Sequence, residues 1–399
     1  MNSTRQIWAA PSGDLGAPIY LDYNATTPHA PEVVEAMRPF FEEHFGNPSS
    51  LHHFGSKTRA AVRTAREQVA ALLGCQPEEI IFTSGGTESN NHAIRGCALA
   101  RRSQGRHIIT SQVEHPAVTA VCEKLAREGF EITYLPVDEC GMVRVDDVEK
   151  AIRGDTILIS LMHANNEVGT IQPVEGTARL AKSRGVLFHT DAAQSAGKVP
   201  IEVDAMGVDL LSIAGHKLYA PKGVGVLYIR QGVNIERFME GAGQEGGNRP
   251  GTENMLGIVG LGKACEIARR DLGLHADHMR RVRDRLEQEL LSRLPDLRVN
   301  GHPERRLPNT LSVGVLEIDA NELLANIGNR VALSAGAACH SGEVRISHVL
   351  RAMRISEKWA RGTLRFSTGR MTQTSEIEKA VNIVVGAVNQ LRAKTVMRK

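Results

Sequence analysis

The chain of 399 residues carries 48 Lys and Arg against 45 Asp and Glu, a formal charge of +3, and its basic residues are scattered apart from short clusters such as Arg101-Arg102 and the tail from Lys394 to Lys399. That balance excludes the concentrated basic face of a nucleic-acid binder, and an aromatic share of 4% leaves little for base stacking. The length exceeds one average core, so two domains are expected.

Residues 1–18, with Pro11, Gly13, Gly16 and Pro18, read as a loose leader before the apolar Ile19-Tyr20-Leu21. From about residue 58 to 330, short β-branched runs alternate with longer helical patterns. Strands are expected from Ile80 to Thr83, His107 to Ser111, Ile132 to Leu135, Thr156 to Leu161, Val186 to His189, Leu210 to Ile213 and Gly225 to Ile229. Helices are expected from Lys57 to Leu73, Ser89 to Arg102 and Val118 to Glu128. Such alternation predicts an α/β fold whose mainly parallel sheet is covered on both faces.

After residue 255 the texture changes to long helices with fewer strands. Met279, Val282, Leu286, Leu290 and Leu294 recur at helical spacing and mark one buried stripe, ended by Pro295. Strands from Thr310 to Val315 and from Thr363 to Ser367 flank a short helix from Ser347. A last helix starts near Thr374 and Ser375, with Ile377, Val381, Val384, Val388 and Leu391 on one face. The expected organisation is a leader over 1–18, a large domain over 19–268 and a smaller α+β domain over 269–399.

Six cysteines, at 75, 97, 122, 140, 265 and 339, are widely spaced without a C-x-x-C pair, which argues for reduced thiols rather than disulfides or zinc. No apolar run approaches a membrane span, and the first 18 residues show neither a signal core nor an Arg-rich transit pattern. A cytoplasmic protein with neither membrane nor nucleic acid as partner is expected.

Several strand ends carry residues suited to chemistry. Ser84-Gly85-Gly86-Thr87-Glu88 follows one strand and opens a helix, so glycines, free N–H groups and the Thr87 hydroxyl can hold a phosphate there; a plain glycine turn with a cap is the alternative. His189-Thr190-Asp191-Ala192-Ala193-Gln194 ends another strand. A buried carboxylate there would keep a pyridine nitrogen protonated and an amide could bond a ring oxygen, unless Asp191 merely caps the next helix. Twenty-six residues after Asp191, Lys217 follows a third strand and His216; a partly buried lysine there has its pKa lowered and becomes an amine able to condense with an aldehyde. Phosphate turn, carboxylate and lysine in this order at successive strand ends point to pyridoxal phosphate.

His115 precedes Pro116 at a further helix start and could stack on a ring or move protons. Cys339 lies in Leu333-Ser334-Ala335-Gly336-Ala337-Ala338-Cys339-His340-Ser341-Gly342, small residues that offer little anchorage, so a mobile thiol is expected, its thiolate favoured by His340. Cys75, Cys97, Cys122 and Cys265 sit in helical patterns and read as core. Arg365 in a strand suits either an amino-acid carboxylate or an edge salt bridge.

Together these segments resemble the cysteine desulfurase family within the fold-type I pyridoxal-phosphate enzymes, from about Tyr20 to Arg370. The carriers are Tyr20-Leu21-Asp22-Tyr23-Asn24-Ala25-Thr26-Thr27-Pro28, the run from Ser84 to Asn91, Glu114-His115-Pro116, His163 to Gly169, His189 to Gln194, Gly215-His216-Lys217, Arg249 to Asn254 and the Cys339 segment. The resemblance implies that Lys217 bears the cofactor, Asp191 faces the ring nitrogen, Gln194 the ring oxygen, and His115 stacks on the ring. Gly86, Thr87 and His216 would hold the phosphate, with Thr252 reaching it from a second subunit, so a homodimer is implied. Asn166 would contact cofactor or substrate, Arg365 the substrate carboxylate, and Cys339 would accept sulfur from L-cysteine as a persulfide. The Cys339 segment resembles the long-loop members that serve scaffold proteins of iron–sulfur assembly or tRNA thiolation.

Two departures stand out. Ala214 occupies a position where many members have a phosphate-binding Ser or Thr, which Ser212 does not evidently replace, and His340 follows Cys339 where many have Thr. Gly336-Ala337-Ala338-Cys339-His340-Ser341 is also similar to selenocysteine lyases, so L-selenocysteine is an alternative substrate. An aminotransferase of the same fold, and a sulfur-carrier or scaffold-binding module without catalysis, are the other readings.

Overall fold

The computed structural model describes the backbone of residues 18–340 and 343–397 and the side chains of 18–336 and 346–394. The expected leader, apart from Pro18, lies outside the described residues, as do the side chains of Cys339 and His340.

Strand β1 (Ile19–Tyr20) is followed by helices α1 (Pro31–Glu42) and α2 (His53–Leu73). Then come β2 (Ile80–Thr83), α3 (Gly86–Ala100), β3 (His107–Ser111), α4 (Pro116–Arg127), β4 (Glu131–Leu135) and α5 (Val145–Ala151). The alternation continues through β5 (Thr156–Ser160), α6 (Val174–Ser183), β6 (Leu187–Asp191), α7 (Val203–Met206), β7 (Leu210–Ala214) and β8 (Gly225–Ile229). The long α8 (Met255–Arg293) leads to β9 (Leu297–Asn300), β10 (Thr310–Val315), α9 (Ala320–Ile327), β11 (Val331–Ala332), β12 (Ser334–Ala335), β13 (Ala337–His340) and β14 (Glu343–Ile346). Helices α10 (His348–Ala352) and α11 (Glu357–Ala360), strand β15 (Thr363–Ser367) and helix α12 (Thr374–Met397) complete the described chain.

The large sheet has seven strands in the order β2-β8-β7-β6-β5-β3-β4. Only β8 runs against the rest: it is antiparallel to both β2 and β7, and the remaining pairs are parallel. The C-terminal ends of β2, β3, β5, β6 and β7 therefore share one edge, where open α/β sheets hold ligands. Strands β3, β5, β6 and β7 are buried along their whole length, so their apolar residues fall in consecutive pairs and triplets instead of alternating with polar ones. Helices cover both faces: Ile94, Val118 and Leu125 pack with Leu158 on one, and Val69, Ala178 and Leu261 pack with Phe188 on the other.

A second sheet, β12-β15-β10-β9, is antiparallel throughout and has its own core. The stripe expected on the second half of α8 is buried there, with Val282, Leu286, Leu290 and Leu294 against Leu311, Phe366 and the α12 residues Ile377, Val381 and Val388. The span of α8 reaches from one core to the other as two helical segments meeting at a kink at Asp271, whose φ of −112° and ψ of 15° are not helical.

Two strand pairings were not read from the sequence. Strand β1 pairs in parallel with β11, and Ile19 and Leu21 join the core of the second sheet although they open the chain. The backbone of the Cys339 segment is an antiparallel pair, β13 with β14, which sets Cys339 opposite Val344; small residues weaken side-chain anchorage but leave ladder hydrogen bonds available.

One close approach fixes the turn after β2. A Cβ on Gly225 of β8 would stand 2.6 Å from the Gly85 Cα and 2.6 Å from the Ile213 carbonyl oxygen. Gly225→Ala is expected to lower the unfolding free energy by about 1–3 kcal/mol, seen as an earlier denaturant midpoint. A midpoint equal to that of the unaltered protein would show that the turn is free to move.

Candidate active site

A cavity of about 340 Å³ opens at the shared edge of the large sheet. Its walls bring together Gly86 and Thr87 after β2, His115 after β3, Asn166 after β5, and Asp191 and Gln194 from the end of β6. His216 and Lys217 after β7 and Arg365 from β15 of the second sheet close it. Residues spread over about 280 positions of sequence meet because parallel strands present their C-terminal ends side by side.

Helix α3 starts at Gly86 with no side-chain cap hydrogen bond, so the first-turn N–H groups and the positive end of the helix dipole are available beside Thr87. Ala214 lines the cavity, and its Cβ would lie 3.3 Å from a Cβ on Gly86. Ser212 does not supply the missing hydroxyl, because it is buried within β7 and its Oγ is 3.0 Å from His189 Nε2.

The Asp191 carboxylate is buried and oriented by two donors, Asn90 Nδ2 at 2.7 Å and the Ala193 N–H at 2.9 Å. Asn90 Oδ1 is itself buried in the cavity wall without a partner. His115 caps α4, its Nδ1 accepting from the Ala117 N–H at 3.1 Å, so the neutral ring carries its proton on Nε2. Surrounding protein pulls its pKa down by desolvation, with Asp191 opposing, although the outer face of the ring is exposed. Burial lowers His216 to about 4, so it is neutral at pH 7, and its Nδ1 lies 3.2 Å from Thr26 Oγ1.

Lys217 is half-buried. Desolvation first, and then the positive Arg365, bring its pKa down to about 8, against the pull of Asp22 and Asp191. Its Nζ donates to the Asn24 carbonyl and, at 2.7 Å, to that of Ala25. Arg365 is held by Asp22 Oδ1 at 2.7 Å, Ser334 Oγ at 2.8 Å and the Asn166 carbonyl at 3.1 Å. Three of the five guanidinium donors are thereby used; the Nε–H is buried without a partner and Nη1 keeps a second N–H.

These residues fit pyridoxal phosphate: an uncapped helix start for the phosphate, a fixed carboxylate for the ring nitrogen and an amine of lowered pKa for the aldehyde. Thr252 lies outside the cavity, exposed in an adjoining groove with Ser84 and Arg249. The Cys339 side chain is outside the described residues. Cys97, Cys122 and Cys265 are buried and Cys75 is half-buried, and burial pushes the pKa of each thiol well up. Asn24, Asn90 and Lys198 were missed as site residues, although Asn24 and Asn90 stood within the motifs that carry the resemblance; a single amide or a lone lysine carries no spacing signal.

The family model for class-V aminotransferases matches residues 19–380. The cysteine desulfurase IscS of Dictyoglomus turgidum is 48% identical over 375 residues, covering 94% of this chain and 95% of that protein. A solved NifS-like protein superposes with a TM-score of 0.89 at 38% identity, covering 94% of this chain and all of that one. A structure described as SspA in complex with cysteine superposes with a TM-score of 0.77, also at 38% identity, over 89% of this chain and all of that one.

With Arg365 a named contributor to the lowered pKa of Lys217, Arg365→Gln is expected to move the Lys217 midpoint upward, on the order of one pH unit. The pH dependence of reductive methylation at Lys217 in cofactor-free protein, followed by peptide mass spectrometry, measures it. A midpoint that stays put or falls would contradict the electrostatic account.

Proposed function

The chain belongs to the class-V aminotransferase family, among its cysteine desulfurases, and from that premise we propose that the cavity residues carry out desulfuration of L-cysteine in the roles given below. Members of this family depend on pyridoxal phosphate. When bound, it supplies an electron-withdrawing ring that stabilises negative charge on the substrate α-carbon.

Gly86 and Thr87 at the start of α3, together with His216, hold the phosphate, with Asn166 at the cofactor or substrate. Asp191 keeps a proton on the ring nitrogen, Gln194 faces the ring oxygen and His115 covers the ring. Arg365, which lines the cavity, takes the substrate carboxylate, while Asp22 and Ser334 fix its plane. Lys217, with a larger neutral fraction at pH 7 than an ordinary lysine, takes the α-proton on Nζ. The Cys339 thiolate forms a bond to the substrate sulfur as the carbon–sulfur bond breaks, and protonation of the remainder gives alanine and a persulfide on Cys339. The observation that carries this reading is the depressed Lys217 amine in one cavity with the doubly held Asp191 carboxylate.

We also propose the two units expected from sequence, 19–268 and 269–399. The separate core around Leu286 and Phe366 supports them, with Ile19 and Leu21 reaching across to it. A homodimer is supported by Thr252, exposed and off the cavity, and by the exposed Phe45 and Leu51, at 79% and 90%. Sulfur delivery to a scaffold protein of iron–sulfur assembly and a cytoplasmic location complete the proposal. Among the described residues no helix is long and apolar enough to cross a membrane.

Cys339→Ser is expected to reduce alanine formation from L-cysteine by about 100-fold or more while the bound cofactor keeps its visible absorption. Mass spectrometry should find a persulfide on Cys339 of the unaltered enzyme. Undiminished alanine formation in the variant, or selenocysteine turning over strongly with no sulfur adduct from cysteine, would overturn the assignment.

A further inference from the structure

Lys198 is a buried cation without a task in the scheme above. Its side chain is 5% exposed, and among the described residues no Asp or Glu makes an ion pair with it. Its Nζ donates instead to two neutral oxygens, Gln194 Oε1 at 3.0 Å and Asn24 Oδ1 at 3.3 Å. Burial, then the charges of Lys217 and Arg365, bring its pKa down to about 7. A buried amine with no carboxylate is costly to keep, and this one stands four residues from Gln194, whose side chain lines the cavity.

The partners on either side of the Gln194 amide decide which way it faces. Lys198 offers hydrogens to Oε1, and on the other side the Asn24 carbonyl, which can only accept, takes one N–H from Nε2 at 2.9 Å. An amide between a donor and an acceptor has one satisfied orientation, and Nε2 retains a second N–H. The same Lys198 amine also holds the Asn24 side chain, whose residue supplies the carbonyl bonded by Lys217.

We propose that Lys198 is a positioning residue for the cofactor: it locks the Gln194 amide so that N–H groups, not the carbonyl, face the ring oxygen. This rests on the placement of Gln194 in the proposed function. Without Lys198 only the Asn24 carbonyl still orients the amide, and whenever the amide turns its carbonyl opposes the ring oxygen, acceptor against acceptor. A donor at that oxygen favours its anionic form, so losing the donor raises the pH midpoint at which the bound cofactor changes its visible absorption.

The test is a pH titration of that absorption band in the holoenzyme for Lys198→Met, Gln194→Ala and the double variant, with pyridoxal phosphate affinity measured alongside. Lys198→Met keeps the aliphatic stem, and Lys198→Gln, which keeps an N–H donor, is the second variant. Each of Lys198→Met and Gln194→Ala is expected to raise the midpoint by about 0.5–1 pH unit. The double variant should shift no further than the larger single shift, and Lys198→Gln should restore most of the original midpoint. If Gln194→Ala moves the midpoint but Lys198→Met does not, or if the two shifts simply add, Lys198 does not act through Gln194 and the inference falls. If Gln194→Ala itself leaves the midpoint unmoved, the placement of Gln194 at the ring oxygen fails, and the inference with it.

Discussion

The backbone carbonyl of Asn24 is the point on which the site converges. It accepts from Lys217 and from Gln194, while the side chain of the same residue bonds Thr310, the Asn166 carbonyl, Asn309 and Lys198. Its own N–H donates to Ser367 Oγ at 2.9 Å. One residue thus ties the lysine end of the large sheet to β10 and β15 of the second sheet. Its neighbours extend the strap: Asp22 holds Arg365, Thr26 meets His216, and the Thr27 hydroxyl bonds the His216 carbonyl. A buried asparagine with every polar atom engaged is costly to displace, which makes the strap a rigid spacer between lysine and arginine.

Charge reinforces that geometry. Lys198, Lys217 and Arg365 crowd one region, and their mutual repulsion adds to desolvation in lowering both lysine pKa values, to about 7 and about 8. Asp22 and Asp191 offset part of that effect at Lys217. The arrangement raises the neutral fraction of both amines near physiological pH above that of an ordinary lysine. The cost of placing cations where solvent cannot reach them is carried by cores that cover both faces of the large sheet.

Much of this was legible in the sequence where local rules are strong. The seven runs of β-branched residues became the seven strands of the large sheet, with Ile80–Thr83, His107–Ser111 and Gly225–Ile229 matching at both ends. Helix starts were displaced in the direction that caps dictate: α2 begins at His53 behind His52, which accepts the Gly55 N–H, and α4 begins at Pro116 behind His115. Nine candidate residues, from Gly86 to Arg365, line one cavity because each sits at or after the C-terminal end of a strand of the large sheet or within β15. The reversed β8, the kink of α8 at Asp271 and the pairing of β1 with β11 escaped notice, since none leaves a periodic trace.

By itself the sequence determined the alternation of strand and helix, the two apolar stripes of the C-terminal helices, and a glycine turn, a carboxylate and a lysine at successive strand ends. Those follow from side-chain period and local backbone preference, which act over a few residues. Tertiary structure alone decided that Asn24, nearly 200 residues before Lys217, would accept its hydrogen bond, that Asp22 would hold Arg365, and that Lys198 would lie buried beside Gln194. Such contacts depend on which chain segments the sheet order brings within 3 Å of one another and how fully they exclude water, and neither quantity is encoded in any short stretch of residues.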